Sequence, residues 1–396
     1  MAKVAGGYTS GGGMGRDTHR SILEEGLVPF LPDDVALQCL LRVPVKAHSQ
    51  LQGVCKKWRD LVNSSEFYEH RRKEGTTGHC VCLLQAISRD ANSPDHHPLF
   101  SVSILNEKGT WERLPPIPGF GHDSCVLPLF ARFAAVGGNL IVLGGWHPAT
   151  MAELQSVYIF SFSSHTWRRG ADMPRTRSFF SCAVLDNNIV VAGGHDSNKN
   201  ALRSADQYNL HHDIWETLPN MTIERDECAS AVLDGKLFVI SGYTTSSQGE
   251  FRRDAEIFDP IRNTWTQTLN MWAVGSKAVS PSNIVAIAGK LFAFHHSQLV
   301  CYSPRENSWQ VVDSLPEGGR GISSAVSATG FGNSIIATGP SNADDGSHRT
   351  LVYRLPASME SGSSDDEVVR GKGRWEMVPV DEQFRGVAHV SCVVEV

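Results

Sequence analysis

Three pairs of adjacent histidines are the first candidates for metal chemistry: His96–His97, His211–His212 and His295–His296. Imidazole is a common metal ligand. Neighbours on a strand point to opposite faces, however, so such a pair does not easily offer two ligands to one ion. We interpret the first two pairs as polar loop residues. The third replaces a pair of small residues found in related stretches, and a role in recognition is open to it.

The cysteines give no stronger indication of a metal or redox site. There are nine, scattered along the chain, and their odd number predicts reduced thiols in the cytoplasm or nucleus. Cys80 and Cys82 could form a ligand pair, but they stand two apart in an apolar run and better fit one face of a strand. We find no glycine-rich phosphate loop and no Gly-x-Ser-x-Gly motif. We therefore expect no enzyme activity, no cofactor and no metal.

Composition limits the partners further. The 396 residues carry a formal net charge of −6, whereas nucleic-acid binders usually have a strong basic excess. No run of about 18 apolar residues is present, so we expect no membrane span. Residues 1–26 are glycine-rich and polar, which predicts a disordered tail and no secretory signal. We expect a cytoplasmic or nuclear protein that binds neither nucleic acid nor membrane.

A repeat of about fifty residues organises most of the chain. Units opened by runs such as "NNIVVAGG" continue with a second run such as "SADQYNL", and a tryptophan follows. Short apolar runs bounded by Gly, Asn, Asp and Pro predict four strands per unit. Sheets this small bury their faces only by stacking, and radial stacking gives a propeller. The tryptophans are 44 to 66 residues apart: Trp111, Trp167, Trp215, Trp265, Trp309 and Trp375.

This pattern resembles the kelch repeat. Glycine doublets stand at Gly144–Gly145 and Gly193–Gly194, and later units replace the doublet with Ser241–Gly242, His295–His296 and Thr338–Gly339. An aromatic residue precedes the tryptophan in each full unit: Tyr158, Tyr208, Phe258, Tyr302 and Tyr353. The resemblance implies a mainly β protein with a six-bladed kelch propeller over residues 79–396.

Both ends of the propeller region lack part of a unit. The tail 386–396 resembles a first strand, and residues 79–118 resemble strands two to four, so together they predict one blade closed between the chain ends. The acidic segment 356–373 is predicted to be a disordered loop. Ser363 and Ser364 precede "DDE" there, a pattern that acidophilic kinases favour, although a solvated loop without regulation is the simpler interpretation.

A different pattern precedes the propeller. Leucines, valines and Trp58 recur at helical spacing between residues 28 and 70, and Pro44 ends the first helix. "LPDD", "LLRVP" and "LQGVCKKWRDLV" resemble an F-box, which implies a three-helix domain over residues 27–72. By this resemblance the following residues belong to the surface and helix core that dock onto a Skp-type adaptor: Leu31, Pro32, Val35, Leu40, Leu41, Pro44, Val54 and Trp58. Some of them, Trp58 in particular, could instead only hold the helices together.

An F-box followed by a kelch propeller is an arrangement common in plants. It implies a substrate receptor of a Skp–cullin–F-box (SCF) ubiquitin ligase, in which the F-box binds the adaptor and, through it, a cullin. The propeller would bind the protein to be ubiquitinated for degradation, for example a metabolic enzyme or a signalling regulator. The alternative is a kelch scaffold that binds proteins without directing their degradation.

Arginine and aromatic residues mark the predicted substrate site. In a kelch propeller, the loops between blades and the loops after second strands emerge on one face. Arg177 and Arg225 stand ten residues before two second strands, and Arg320 lies near an equivalent place. Trp146, His195 and Tyr243 follow three second strands. Such residues often carry interface energy, although each arginine could instead bind local carbonyls or a neighbouring carboxylate.

Overall fold

The computed structural model describes residues 26–87, 99–118, 127–272, 283–318, 321–343, 346–356 and 373–396. His96–His97, Arg320, Ser363 and Ser364 lie outside these ranges, as does nearly all of the two segments predicted to be disordered. In the described ranges, a small helical domain is followed by a ring of β-sheets. None of the helices found there has the length and apolar character needed to cross a membrane.

The helical domain has four helices in its described residues, where the sequence predicts three. The second helical stretch is broken at Cys55, whose extended backbone (φ −157°, ψ 169°) ends one helix and caps the next. The Cys55 Sγ accepts a hydrogen bond from the Trp58 amide at 3.5 Å. The four helices are α1 (Asp33–Leu41), α2 (His48–Val54), α3 (Lys56–Val62) and α4 (Ser65–Lys73).

Six four-stranded antiparallel sheets are present in the described ranges, so the predicted six-bladed propeller is confirmed. Blade 1 contains β1 (His79–Ile87), β2 (Leu99–Asn106), β3 (Trp111–Arg113) and, from the far end of the chain, β24 (Ala388–Glu395). Blade 2 contains β4 (Arg132–Val136), β5 (Asn139–Leu143), β6 (Val157–Ser161) and β7 (Thr166–Gly170). Blade 3 contains β8 (Ser181–Leu185), β9 (Asn188–Ala192), β10 (Ala205–Asn209) and β11 (Ile214–Leu218).

The remaining blades follow the same order. Blade 4 contains β12 (Ala229–Leu233), β13 (Lys236–Ile240), β14 (Ala255–Asp259) and β15 (Thr264–Thr268). Blade 5 contains β16 (Ile284–Ile287), β17 (Lys290–His295), β18 (Gln298–Ser303) and β19 (Ser308–Ser314). Blade 6 contains β20 (Ser327–Phe331), β21 (Ser334–Pro340), β22 (His348–Arg354) and β23 (Arg374–Met377).

The ring closes around its innermost strands. β24, β4, β8, β12, β16 and β20 contact one another in an unbroken cycle. The adjoining blades cover both faces of each blade at its second strand, and a strand covered in this way is apolar on both faces. In β5, for example, four consecutive residues are all buried: Leu140, Ile141, Val142 and Leu143. In blade 1, β24 pairs with β1 from His79↔Glu395 to Gln85↔Ala388, so the two ends of the propeller region share one sheet.

The repeated tryptophans connect each blade to the one before it. On the outer strand of blades 1 to 5, the indole Nε1 donates to a backbone carbonyl just after the outer strand of the preceding blade, for example from Trp265 to Pro219 at 2.7 Å. Trp375 of blade 6 has no such acceptor among the described residues. At the other five blade junctions a carbonyl is thereby satisfied by a large apolar side chain that also fills the gap.

An aromatic ring on the third strand packs against each of five tryptophans. Tyr208 and Trp215 lie opposite each other with ring centroids 5.0 Å apart, and Phe258, Tyr302 and Tyr353 occupy the same place in their blades. In blade 2 the sequence predicts Tyr158 for this position, and that is wrong. Phe160 lies opposite Trp167 at 5.1 Å, because both positions of "VYIF" are aromatic and only the strand register decides between them.

The propeller has two distinct faces. We call the side with the turns between first and second strands and between third and fourth strands the hairpin face; residues 137–138 and 162–165 belong to it. The opposite side, with the loops after second strands and between blades, is the loop face; residues 144–156 and 171–180 belong to it.

The helical domain packs on the hairpin face of blades 1 and 2. Gln52 Nε2 donates to the Ser163 carbonyl at 2.8 Å, and the Tyr68 ring lies against Gly138. Arg72 pairs with Glu395 at the end of β24, with 3.5 Å between Nε and Oε2. The loop face of the propeller is therefore left open by this contact.

Removing residues 386–396 should open the ring. The deletion exposes the edge of β1 and the apolar surfaces of blades 2 and 6 that pack on β24, where Ala388 and Val394 are fully buried. We expect aggregation, or loss of the cooperative thermal transition followed by circular dichroism. A truncated chain that melts like the full-length chain would contradict the structural role of β24.

Two matched substitutions should separate the hydrogen bond of the tryptophans from their packing. Trp265→Phe removes the bond to Pro219, whereas Trp375→Phe removes an indole nitrogen that has no acceptor in the described chain. We expect Trp265→Phe to lower the free energy of unfolding in urea by about 1 kcal/mol more than Trp375→Phe. Equal losses would show that packing alone accounts for the repeat.

Candidate functional site

The residues predicted to bind an adaptor divide by exposure. Val35 and Val54 are 44% and 61% exposed, Pro32 and Pro44 are exposed, and Leu31 is half-buried. Phe30, which the sequence analysis missed, is fully exposed beside them. Exposed apolar side chains that lie close together mark an interaction surface, and Phe30, Pro32 and Val35 fall within six consecutive residues. We call Phe30, Pro32, Val35, Pro44 and Val54 the apolar patch.

The other three predicted residues support the patch from within. Leu40 and Leu41 are buried with Val62 and Phe67 in the core of the helical domain. Trp58 is half-buried against this core, and its Nε1 donates to the Leu27 carbonyl at 2.6 Å. Leu40 and Leu41 therefore hold the helices together, and Trp58 has at least this structural role.

On the loop face, three predicted residues occupy one equivalent position. Trp146, His195 and Tyr243 each form a single antiparallel bridge with the loop that enters their own blade, at Leu129, Ser178 and Asp226 respectively. Their side chains differ in exposure: Trp146 is half-buried, whereas His195 and Tyr243 are buried. The structure thus places these three residues at equivalent positions on three successive blades, 2, 3 and 4, of the loop face.

Arg177 is buried completely, with 0% of its surface exposed. Its Nη1 donates to the carbonyls of Gly193 and Ser204 at 3.0 and 3.2 Å. Its Nη2 donates to Asp206, which is also fully buried. Burial lowers the pKa of Arg177 to about 10, and the nearby Asp206 carboxylate limits the fall. The guanidinium thus remains charged at neutral pH, and these three hydrogen-bond partners all belong to blade 3.

Arg225 has the same arrangement one blade further on. Its Nη1 donates to the Ser241 carbonyl at 2.8 Å, and its Nη2 donates to Asp254 at 2.7 Å and Glu256 at 3.3 Å. Burial alone would raise the pKa of Asp254, but Arg225 and the bonds from Gln267 and Arg252 outweigh it and hold that pKa at about 2.

The prediction that Arg177 and Arg225 contact a substrate is therefore wrong for the structure described. Neither guanidinium has exposed surface, and the alternative, binding to local carbonyls and carboxylates, is what the structure has. A signal for this was present in the sequence. Asp206 and Glu256 stand two residues before the third-strand aromatic residue in the same two blades that carry the arginines.

The remaining predicted site residues differ in outcome. Arg320 is outside the described residues, but the bridge Ile322↔Ser341 shows that Gly321, not residue 320, matches Arg177 and Arg225. His295 is the last residue of β17 and His296 begins the tight turn to β18, so neither lies in a long loop. Burial, followed by the charge of His296, lowers the pKa of His295. In the described ranges no three His, Cys, Asp or Glu side chains converge to hold a metal.

A polar network joins Trp146 to His195. The His195 Nδ1 lies 2.8 Å from Asp226 Oδ2, and its Nε2 lies 3.0 Å from Lys199 Nζ. Lys199 Nζ is also 4.5 Å from the centre of the Trp146 ring and 3.5 Å from Glu153. The charges of this network are largely compensated internally, and the half-buried Trp146 ring contributes to the surface of the loop face.

Sequence reasoning missed two phenylalanines on the loop face. Phe130 and Phe179 follow the bridge residues Leu129 and Ser178, and their φ angles are 57° and 52°. A left-handed backbone costs a bulky residue about 1–3 kcal/mol. Phe130 is nevertheless 41% exposed, with its ring 5.3 Å from that of Phe179 and 5.5 Å from that of Trp146. No sequence motif signals a positive φ at phenylalanine.

Comparison with known proteins gives both domains a family. Residues 29–70 match the F-box domain model, and residues 131–339 match the KLHDC2/KLHL20/DRC7 Kelch-repeats domain model, which covers more than half of the chain. The protein belongs to the F-box/kelch-repeat family. The helical domain is its F-box, and the ring of sheets is its kelch propeller.

Several F-box/kelch-repeat proteins of Arabidopsis thaliana are similar to this chain. F-box/kelch-repeat protein At1g80440 is 39% identical over 73% of this chain and 82% of its own length. F-box/kelch-repeat protein SKIP20 is 34% identical over 72% of this chain and 78% of its own. The match to F-box/kelch-repeat protein At2g44130, 39% identical, covers 62% of this chain and 66% of that protein. An F-box implies binding to a Skp-type adaptor, and a kelch propeller implies binding to a protein substrate.

Removing a buried arginine should cost stability, because it leaves carboxylates buried without their partner. We expect Arg177→Ala or Arg225→Ala to lower the free energy of unfolding by about 3–5 kcal/mol. Arg175→Ala is the matched control: Arg175 is exposed and 3.7 Å from Asp206, and its loss should cost about 1 kcal/mol or less. Urea unfolding followed by circular dichroism measures the three. A stable Arg177→Ala variant would contradict this role.

Proposed function

We propose that this F-box/kelch-repeat protein is the substrate-recognition subunit of an SCF-type ubiquitin ligase. Its F-box docks onto a Skp-type adaptor, which connects it to a cullin. Its propeller binds the protein that is to be ubiquitinated and degraded by the proteasome. The subunit itself is not catalytic, because it acts by holding the substrate near a ubiquitin-transfer machinery that the other subunits supply.

The observation that carries this proposal is the apolar patch of the F-box. The patch remains exposed although the F-box packs on the propeller through Gln52, Tyr68 and Arg72. Burying Val35 and Val54 against a partner would remove apolar surface from water, at roughly 25 cal/mol for each Å². The patch therefore suits an adaptor that binds the F-box on a surface that the propeller does not use.

The placement of the F-box also supports two simultaneous partners. The contacts given above all fall on the hairpin face, so an adaptor bound at the F-box leaves the loop face available to a second protein. A receptor needs this separation, because it must hold a substrate while it stays attached to the ligase. We place the complex in the cytoplasm or nucleus, and the eight described cysteines, which are all free thiols, support this.

Charge placed in the apolar patch should abolish adaptor binding. We expect Val35→Asp with Val54→Asp to reduce co-purification of a Skp-type adaptor at least about tenfold, since a partner would have to bury two unpaired carboxylates. Ile261→Asp is the matched control, because Ile261 is 95% exposed in the turn between β14 and β15 of blade 4. Its adaptor recovery should equal that of the unchanged chain.

A thermal melt checks that each variant keeps its folded propeller. Equal adaptor recovery from the double variant and the unchanged chain would contradict docking at the patch. If the adaptor binds but the proteasome degrades none of the proteins bound to the propeller, the alternative of a non-degradative scaffold is supported. Capture of partners from native tissue, with and without a proteasome inhibitor, distinguishes these two outcomes.

A further inference from the structure

Arg132 is the first residue of β4, at the loop-face end of the innermost strand of blade 2. Its side chain reaches toward blade 3, where its Nε donates to the Phe180 carbonyl at 2.8 Å. Within the described part of the chain, its Nη1 and Nη2 make no hydrogen bond and have no carboxylate within 4.0 Å. The side chain is half-buried, and neither terminal nitrogen is sealed from solvent.

This situation contrasts with that of Arg177 and Arg225. Arg177 and Arg225 use both terminal nitrogens on carbonyls and carboxylates of their own blades. Burial lowers the pKa of Arg132, because protein replaces part of its water shell, and no carboxylate forms an ion pair with it in the described residues. A forked donor in such surroundings binds a carboxylate strongly, since two parallel charge-assisted bonds can form.

Aromatic rings frame the same place. Phe179 immediately precedes the residue whose carbonyl Arg132 binds, and the Phe130 ring lies 5.3 Å from the Phe179 ring. Both residues hold the left-handed backbone described above. Phe179 also stacks on the buried His195 ring, with 5.6 Å between the ring centroids, and this contact holds the Phe179 ring in place. The rings give an apolar side chain of a partner a surface to pack on next to the guanidinium.

The neighbouring charges leave room for an added anion. Lys199 is already paired with Glu153 and His195. Glu227 acts on Arg132 through its charge, but its Oε1 accepts from the Tyr243 hydroxyl at 3.0 Å and no ion pair joins it to Arg132 in the described residues. The guanidinium of Arg132 is thus a half-buried cation without an ion pair in the described residues of the loop face.

We propose that Arg132, framed by Phe130 and Phe179, binds the carboxylate of an aspartate or glutamate in an extended segment of the substrate protein. An apolar side chain next to that acidic residue packs on the two rings. This inference rests on the proposed function, because it assumes that the propeller binds a protein. It replaces the predicted arginines Arg177 and Arg225 with one that a partner can reach.

The test selects peptides on the purified full-length protein, and a parallel pull-down with a Skp-type adaptor is made from the same preparation. The probe is a phage-displayed library of random twelve-residue peptides, panned against the unchanged chain and against Arg132→Gln. We expect peptides with Asp or Glu beside an apolar residue to be enriched only on the unchanged chain. In fluorescence polarisation, a selected peptide should lose about tenfold or more in affinity for Arg132→Gln. The same loss is expected when its acidic residue is changed to the amide.

Three further variants make the assignment specific. Arg175→Gln removes an exposed arginine near the same face and should leave peptide affinity unchanged. Glu227→Gln removes the nearby negative charge and should leave the affinity equal or higher. Arg132→Lys keeps the charge without the fork and should give an intermediate affinity.

Selection without acidic enrichment, or equal affinity for Arg132→Gln and the unchanged chain, overturns the inference. If Arg132→Gln does not fold, the amide-substituted peptide still decides the question on the unchanged chain. Adaptor recovery from the same preparation reports on the proposed function separately. If the adaptor binds but acidic peptides do not bind at Arg132, only this inference is overturned. If acidic peptides bind but the adaptor does not, only the proposed ligase role is overturned.

Discussion

The pairing of β24 with β1 is the contact on which the rest of the propeller depends. Each four-stranded sheet has two apolar faces and can bury them only between two neighbours. Five blades would leave one face at each end open to water, and the sixth exists only because strands from both ends of the region share a sheet. Arg72 of the F-box pairs with Glu395 of β24, so this closure also provides one of the contacts that hold the F-box on the propeller.

The blade junctions combine two kinds of contact. Indole groups join outer strands to the preceding blade, while Arg177 and Arg225 anchor the loops that enter blades 3 and 4. Blade 2 has Pro128 and Tyr158 at the positions of an arginine and its acidic partner, and blade 6 has Gly321 and Leu351. In these four blades, arginine and acid therefore occur together or are both replaced, as expected when an unpaired buried charge is costly.

The sequence predicts the blade number and the F-box well, because hydrophobic period and turn residues report directly on strands and helices. Sequence-based prediction fails where the outcome depends on the register of paired strands or on the direction in which a side chain points. Tyr158 and Phe160 are two residues apart, and only the pairing with Trp167 selects the second. Spacing places Arg177 correctly among equivalent residues, but not its side chain, which turns inward to Asp206. No sequence motif marks Arg132. Its terminal nitrogens are free to bind a partner only because, in the folded protein, none of the described carboxylates forms an ion pair with them.

The order of synthesis gives the shared blade a further consequence. β24 is translated about 300 residues after β1, which at 5–20 residues per second is roughly 15–60 s later. During that interval the edge of β1 that will bind β24 has no partner, and an unpaired edge can associate with other nascent chains. Blades 2 to 6 can assemble as their strands emerge from the ribosome, but the ring cannot. Molecular chaperones that shield strand edges would therefore matter most for this protein late in translation.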